Sequence, residues 1–196
     1  MSLRVLVVLD MSEPESANAD PSLLNACAAL GYTVRTASGT DLRLPDIVAR
    51  FDPDIVMIAS ESDARDTIEH VVVATRDAPR PIALFTDHDN AAQMRDILRR
   101  GVCAYVVPGL SPASMRPVLE VAIARFEVEQ ELRRELAQSR AQLDERKLLD
   151  RAKAVLMRQG LSEDDAHRRL RRMAMDKGLK LTEVAKRVIE VGELFG

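Results

Sequence analysis

The chain has 196 residues, enough for one full domain and a smaller one, and its 46% hydrophobic and 30% charged content is that of a globular protein. Aromatic residues make up 3% and Trp is absent, which excludes ring stacking as the main way of holding nucleic acid. The net charge of −3 conceals a split: residues 1–125 hold 12 Lys and Arg against 17 Asp and Glu, whereas residues 146–187 hold 13 against 6, the asymmetry expected when one module meets a polyanion.

The first predicted element is Arg4-Val5-Leu6-Val7-Val8-Leu9, a continuous apolar run suited to a strand buried on both faces. Further strands are predicted at Tyr32–Thr36, Ile55–Ile58, Ile82–Phe85 and Tyr105–Val107. Helical patterns separate them at Ser22–Leu30, Leu44–Phe51, Asp66–Arg76 and Ala91–Arg100, with Gly31 and Gly101 as helix stops. Five alternations of strand and helix predict an α/β fold, a five-stranded doubly wound parallel sheet whose functional edge is the carboxyl end of its strands. The N-terminus has no secretory pattern and no apolar run approaches about 18 residues, so the expected location is cytoplasmic, with no membrane contact. Cys27 and Cys103 have neither CxxC nor metal-ligand spacing and are expected to be reduced thiols.

Pro53-Asp54-Ile55-Val56-Met57-Ile58, then Phe85-Thr86-Asp87, then Gly101-Val102-Cys103-Ala104-Tyr105 resemble landmarks of the CheY-like receiver domain of bacterial response regulators. The resemblance implies a phosphotransfer site. It would need an acid pair after strand 1 for Mg²⁺, a carboxylate nucleophile ending strand 3, Thr or Ser after strand 4 and Lys after strand 5. Metal and Lys neutralise phosphoryl oxygens while the aspartate attacks. Here Leu9-Asp10 keeps one acid, Ala59 stands at the nucleophile position, Thr86 is kept, and Pro108 stands where the Lys belongs. Ser60, Glu61 and Asp63 carry oxygens nearby but lack the supporting cation. The expectation is a pseudo-receiver with no metal or cofactor, its phosphorylation site degenerate and its state set by a bound partner.

Pro112 marks the start of a long helix, with Pro117 an early interruption, and about forty residues then follow without Gly or Pro. Val121, Val128, Leu132, Leu136 and Leu143 trace an irregular stripe near heptad spacing. A helix so long and polar needs that stripe covered, and a second copy in a parallel coiled coil is the expected cover. Gly160 ends it. Ser162-Glu163-Asp164-Asp165 then reads as an N-cap with acids in the first turn, opening a helix of about Glu163–Asp176 that Gly178 stops. Thr182 can open a third, to about Leu194. Leu156 and Met157, then Ala166, Leu170 and Ala174, then Val184, Ala185, Val188 and Ile189 have the spacing of a small shared core, in which Met173 and Met175 are also expected.

Ala152-Lys153 with Leu156-Met157, Ser162-Glu163 with Ala166, Leu170-Arg171 with Ala174-Met175, and Leu181 with Val184-Ala185 resemble the ANTAR domain, the RNA-binding module of the AmiR and NasR antitermination regulators. Two positions depart: Ala154 stands where the family often has Gly, and His167 where it often has Tyr. Arg80-Pro81-Ile82, Ala104-Tyr105-Val106-Val107 and Val121-Ala122-Ile123-Ala124-Arg125-Phe126-Glu127 are similar to the nitrate-response, NasT-type branch of that family. The resemblance implies a transcription antiterminator that binds tandem stem-loops in a nascent mRNA leader and is sequestered by a nitrate- or nitrite-sensing binding protein. The corresponding division is 1–110 pseudo-receiver, 111–145 coiled-coil helix and 146–196 three-helix RNA-binding domain.

Lys and Arg hold RNA through phosphates. The candidates are Arg146, Lys147, Arg151, Lys153 and Arg158 on the first helix and Arg168, Arg171, Arg172 and Lys177 on the second, with Arg171 at a family motif position. Any of them can instead be ion-paired within its helix, as Asp150 with Lys147 or Lys153. A second reading remains open: the glycine turn before Leu181-Thr182-Glu183-Val184-Ala185 can pass for a DNA-binding helix-turn-helix, although Lys186 and Arg187 are the few side chains there suited to base reading. An enzyme is not expected, because His70, His88 and His167 lie far apart and no phosphate loop, nucleophile elbow or metal spacing occurs.

Overall fold

The computed structural model describes residues 2–10, 21–60, 64–86, 91–106 and 112–194. It contains strands β1 (Arg4–Leu9), β2 (Thr33–Ser38), β3 (Ile55–Ser60), β4 (Ile82–Thr86) and β5 (Ala104–Val106). Its helices are α1 (Pro21–Ala29), α2 (Leu44–Phe51), α3 (Arg65–Ala74), α4 (Ala91–Arg99), α5 (Pro112–Arg158), α6 (Glu163–Lys177) and α7 (Leu181–Leu194). The chain forms two compact units, Met1–Gln130 and Glu131–Gly196.

In the first unit the sheet is wholly parallel in the order β2-β1-β3-β4-β5, the doubly wound arrangement expected. Period-two alternation sends Leu6, Val8, Val56, Ile58 and Leu84 to one face, where α2, α3 and α4 cover them with Leu44, Val48, Ile68, Val71 and Ile97. Val5, Val7, Ile55 and Met57 go to the other, against Leu23 and Cys27 of α1 and Met115, Leu119 and Ala122 of α5. Fully burying each such side chain contributes roughly 1.5–3 kcal/mol. Cys27 and Cys103 are free and buried, and burial pushes the Cys27 thiol pKa up.

Helix α2 has the predicted bounds. Pro45 is pre-set for its first turn, and Asp52 ends it in the left-handed region at φ 49°. Strand β2 lies later than the predicted Tyr32–Thr36. It is a half-exposed edge strand, so its apolar signal is weak. The fifth strand begins one residue early, at Ala104, and its predicted Val107 end lies outside the described residues. Pro117 falls inside α5, in its second turn. The stripe Val121, Val128, Leu132, Leu136 and Leu143 is 51–66% exposed in the single chain.

In the second unit Ala152 and Leu156 of α5, Ala166, Leu170 and Ala174 of α6, and Val184, Ala185 and Ile189 of α7 form one core, as their spacing predicts. Two expected core residues are not in it. Met157 is 44% exposed, because it lies one helical step of about 100° beyond Leu156. Met175 is 82% exposed, for the same reason one step beyond Ala174.

Candidate nucleic-acid interface and degenerate receiver site

At the carboxyl ends of β1 and β3, Leu9 is in register with Ala59, and the Asp10 amide donates to the Ala59 carbonyl at 3.0 Å. Position 59 therefore holds a methyl, which cannot accept a phosphoryl group. Asp10 is 5% exposed. Ser60 Oγ donates to its Oδ2 at 2.7 Å, and Thr67 Oγ1, from the first turn of α3, donates to its Oδ1 at 2.9 Å. A buried carboxylate needs donors on its oxygens, and these hydroxyls supply them. Gly39 lets Thr67 come close: its amide donates to the Leu9 carbonyl at 2.7 Å, and a Cβ there would lie 2.7 Å from the Thr67 methyl. Thr86, in register with Ser60, is also buried. Pro108, Glu61 and Asp63 lie outside the described residues.

The Ser60 hydroxyl, buried and committed to Asp10, is not placed as a nucleophile, and among the described residues Asp10 alone offers a carboxylate here, whereas a divalent ion takes several oxygen ligands. Incubation with acetyl phosphate and Mg²⁺ is expected to leave the intact mass of the protein unchanged. A stable phosphoryl adduct mapped to the first unit is the opposite result.

The second unit carries the cations. Ser162 caps α6: its Oγ accepts the Asp165 amide at 3.2 Å, with Glu163, Asp164 and Asp165 in the first turn where the helix dipole favours acids. Gly178 closes the helix in the left-handed region at φ 60°. The close approach of α7 to α5 depends on Gly192, since a Cβ there would lie 2.4 Å from Val155 Cγ1.

The nine predicted cations fall into two groups. Lys153 has a side chain only 17% exposed, and its Nζ sits 2.8 Å from both Asp150 Oδ1 and Glu163 Oε1. Those hydrogen bonds, Asp150's first, raise its pKa, and Lys153 in turn holds the Asp150 carboxyl below the usual carboxylate range. Arg168 pairs with Asp165, whose carboxyl is held low by hydrogen bonds from Ser162 first and Arg168 second. Of the sequence alternatives for Asp150, the structure takes Lys153. By contrast Arg171, Arg172 and Lys177 on α6 are exposed and make no ion pair among the described residues; Arg146, Lys147, Arg151 and Arg158 are exposed on α5. Lys153, Glu163, Asp164, His167 and Arg168 line a shallow cleft of about 290 Å³. The carboxylates of Glu163 and Asp165 were visible in the sequence as first-turn acids, but not as partners of Lys153 and Arg168.

The family model for the ANTAR domain matches residues 137–189. The transcriptional regulatory protein PdtaR of Mycobacterium tuberculosis is 30% identical over 165 residues, covering 82% of this chain and 78% of PdtaR. The nitrate regulatory protein of Klebsiella oxytoca is 43% identical over 67 residues, 34% of this chain and 17% of that protein. Among solved structures, the signal receiver domain of a modulated diguanylate cyclase from Desulfovibrio desulfuricans G20 matches with a TM-score of 0.52 at 19% identity, covering 66% of this chain and 99% of that one. The last supports the receiver-like fold alone. The two sequence relatives, PdtaR and the Klebsiella protein, are regulatory proteins and not enzymes, and no described helix is long and apolar enough to cross a membrane. With a receiver-like sheet in front, an ANTAR match behind, and a relative aligned along most of both chains, the protein belongs to the ANTAR-domain family of transcriptional regulators.

Proposed function

We propose that the chain is a cytoplasmic RNA-binding antiterminator. It grips stem-loops in nascent mRNA leaders with the basic face of residues 146–196. It pairs as a homodimer through the helix of residues 111–145, and its state is set by a protein bound to the receiver-like unit of residues 1–110, not by phosphoryl transfer. The observation that carries the reading is the exposure of Arg171, Arg172 and Lys177 on α6, with no carboxylate partner among the described residues, within a segment the ANTAR model matches. Cations in that state can neutralise phosphates without first breaking an ion pair. The open Val121–Leu143 stripe supports the dimer, since an apolar seam on a polar helix is stable when a second helix covers it. Similarity to the Klebsiella nitrate regulatory protein supports nitrate or nitrite as the signal, reaching this chain through a sensing partner.

The DNA-binding reading is weaker. Helix α7 exposes Lys186 and Arg187 between the acids Glu183 and Glu190, a sparse set for reading base edges. The two separate in one experiment. The purified chain is expected to bind a double-hairpin leader RNA more tightly than duplex DNA of equal length. The logarithm of its affinity should fall by about 0.7–0.9 per log unit of salt for each phosphate neutralised. Equal affinity for arbitrary duplex DNA overturns the proposal, and a chain that sediments as a monomer at binding concentrations removes its coiled-coil part.

A further inference from the structure

Met175 is the most exposed large apolar side chain described in the second unit, at 82%. One exposed Met on a surface is ordinary; its neighbours make this one different. The buried side of α6 is set by Ala166, Leu170 and Ala174. At about 100° per residue, Met175 projects from the opposite side, within roughly 20° of Arg168, 40° of Arg171 and 60° of Arg172. On the exposed face of α6, Arg171 and Arg172 thus lie one turn before Met175 and Arg168, paired to Asp165, two turns before it, with Asp164 a further turn away. Two of those arginines, Arg171 and Arg172, have no carboxylate partner among the described residues.

We infer that Met175 is a base-contacting residue of the RNA interface: its thioether packs on the face of an unpaired loop base while the flanking arginines hold phosphates. This rests on the RNA-binding reading above. A docked protein would be expected to meet a broader apolar patch than one side chain flanked by the exposed Arg171 and Arg172, whereas a polyanion with apolar faces matches that group in both charge and polarity. The chain has no Trp and few aromatic residues to offer bases. A flexible, polarizable Met is the side chain able to fill that role on this face. Arginines fix register along the backbone and carry no sequence information through phosphates, so a base contact here also contributes selectivity.

The test uses the full chain and a double-hairpin leader RNA, native or with abasic loop positions, with binding measured across a salt series. Met175→Ala is expected to weaken native-loop binding about tenfold, the loss of one buried Met contact. It should leave the salt slope and the thermal melt unchanged, because the residue is exposed and uncharged. Met175→Leu should stay within about twofold of the parent, and the Met175→Ala penalty should vanish on the abasic loops. Native-loop affinity unchanged in Met175→Ala overturns the inference, as does an equal loss on abasic loops, or a changed sedimentation coefficient with intact RNA binding, which would mark a contact between copies or with a protein. If the parent chain binds no hairpin RNA at all, both the inference and the function beneath it fall; if the parent binds and only the variant results disagree, the inference alone falls.

Discussion

Reversing Arg171 and Arg172 together to Glu is expected to lower hairpin RNA affinity by roughly 100-fold or more at physiological salt. Neither guanidinium is engaged by an internal carboxylate among the described residues, so nothing in the fold is left uncompensated. Arg172 lies on the side of α6 opposite Ala166, Leu170 and Ala174, and Arg171 on its exposed flank. Losing two phosphate contacts should also shallow the salt slope by about 1.4–1.8, and repulsion from the two new carboxylates adds to the loss. Fluorescence anisotropy across a salt series reads affinity and slope together. Far-UV circular dichroism checks that the unit stays folded. Unchanged capture by the double reversal would mean that α6 does not face RNA, and the functional reading would have to move to another surface.

Leu170→Ala is expected to have the largest effect on stability. Leu170 is fully buried at the centre of the second unit, among Ala152, Leu156, Ala166, Val184, Ala185 and Ile189. Several of those neighbours are alanines, which cannot lean in to fill a void. The cost of the truncation is about 2–5 kcal/mol. A unit of this size has only about 3–10 kcal/mol in total. The C-terminal transition should therefore drop by roughly 10–40 °C, or vanish at the growth temperature. The sheet's core is built from other residues, and its own transition should persist. Differential scanning calorimetry separates the two. A C-terminal transition that did not move would mean that Leu170 is not part of the core that holds the three helices.

Much of this was legible from residues that carry strong local signals. Leu44–Phe51 was bounded correctly because Pro45 and Asp52-Pro53 punctuate it. Ser162 with its three acids, and Gly178 after Lys177, gave α6 to within a residue. The charge split is plain in the sequence, and the Val121–Leu143 residues picked out by their spacing are exposed in the single chain. What escaped depends on contacts between distant residues or on helix rotation. Thr67 reaches Asp10 across 57 residues, and nothing near Thr67 announces it. Lys153 and Glu163 meet across the Gly160 turn, so a residue that reads as an RNA contact is found gripping a carboxylate. Met157 and Met175 were expected inside because methionine is apolar, yet a step of one residue decides which way a helical side chain faces. The edge strand β2 was misplaced because half-exposed strands lack the unbroken apolar run that identifies β1, β3 and β4.

The alanine at position 59 also bears on timing. An aspartyl phosphate decays by hydrolysis, so a receiver that carries one holds a built-in clock that erases its own message. A methyl in that place keeps no such record. If a bound protein sets the state of the sheet unit, as proposed above, the duration of a response would be the residence time of that protein. Its reset would be a dissociation rate, adjustable by interface mutations and by the abundance of the docking protein, and indifferent to the cell's supply of phosphodonors.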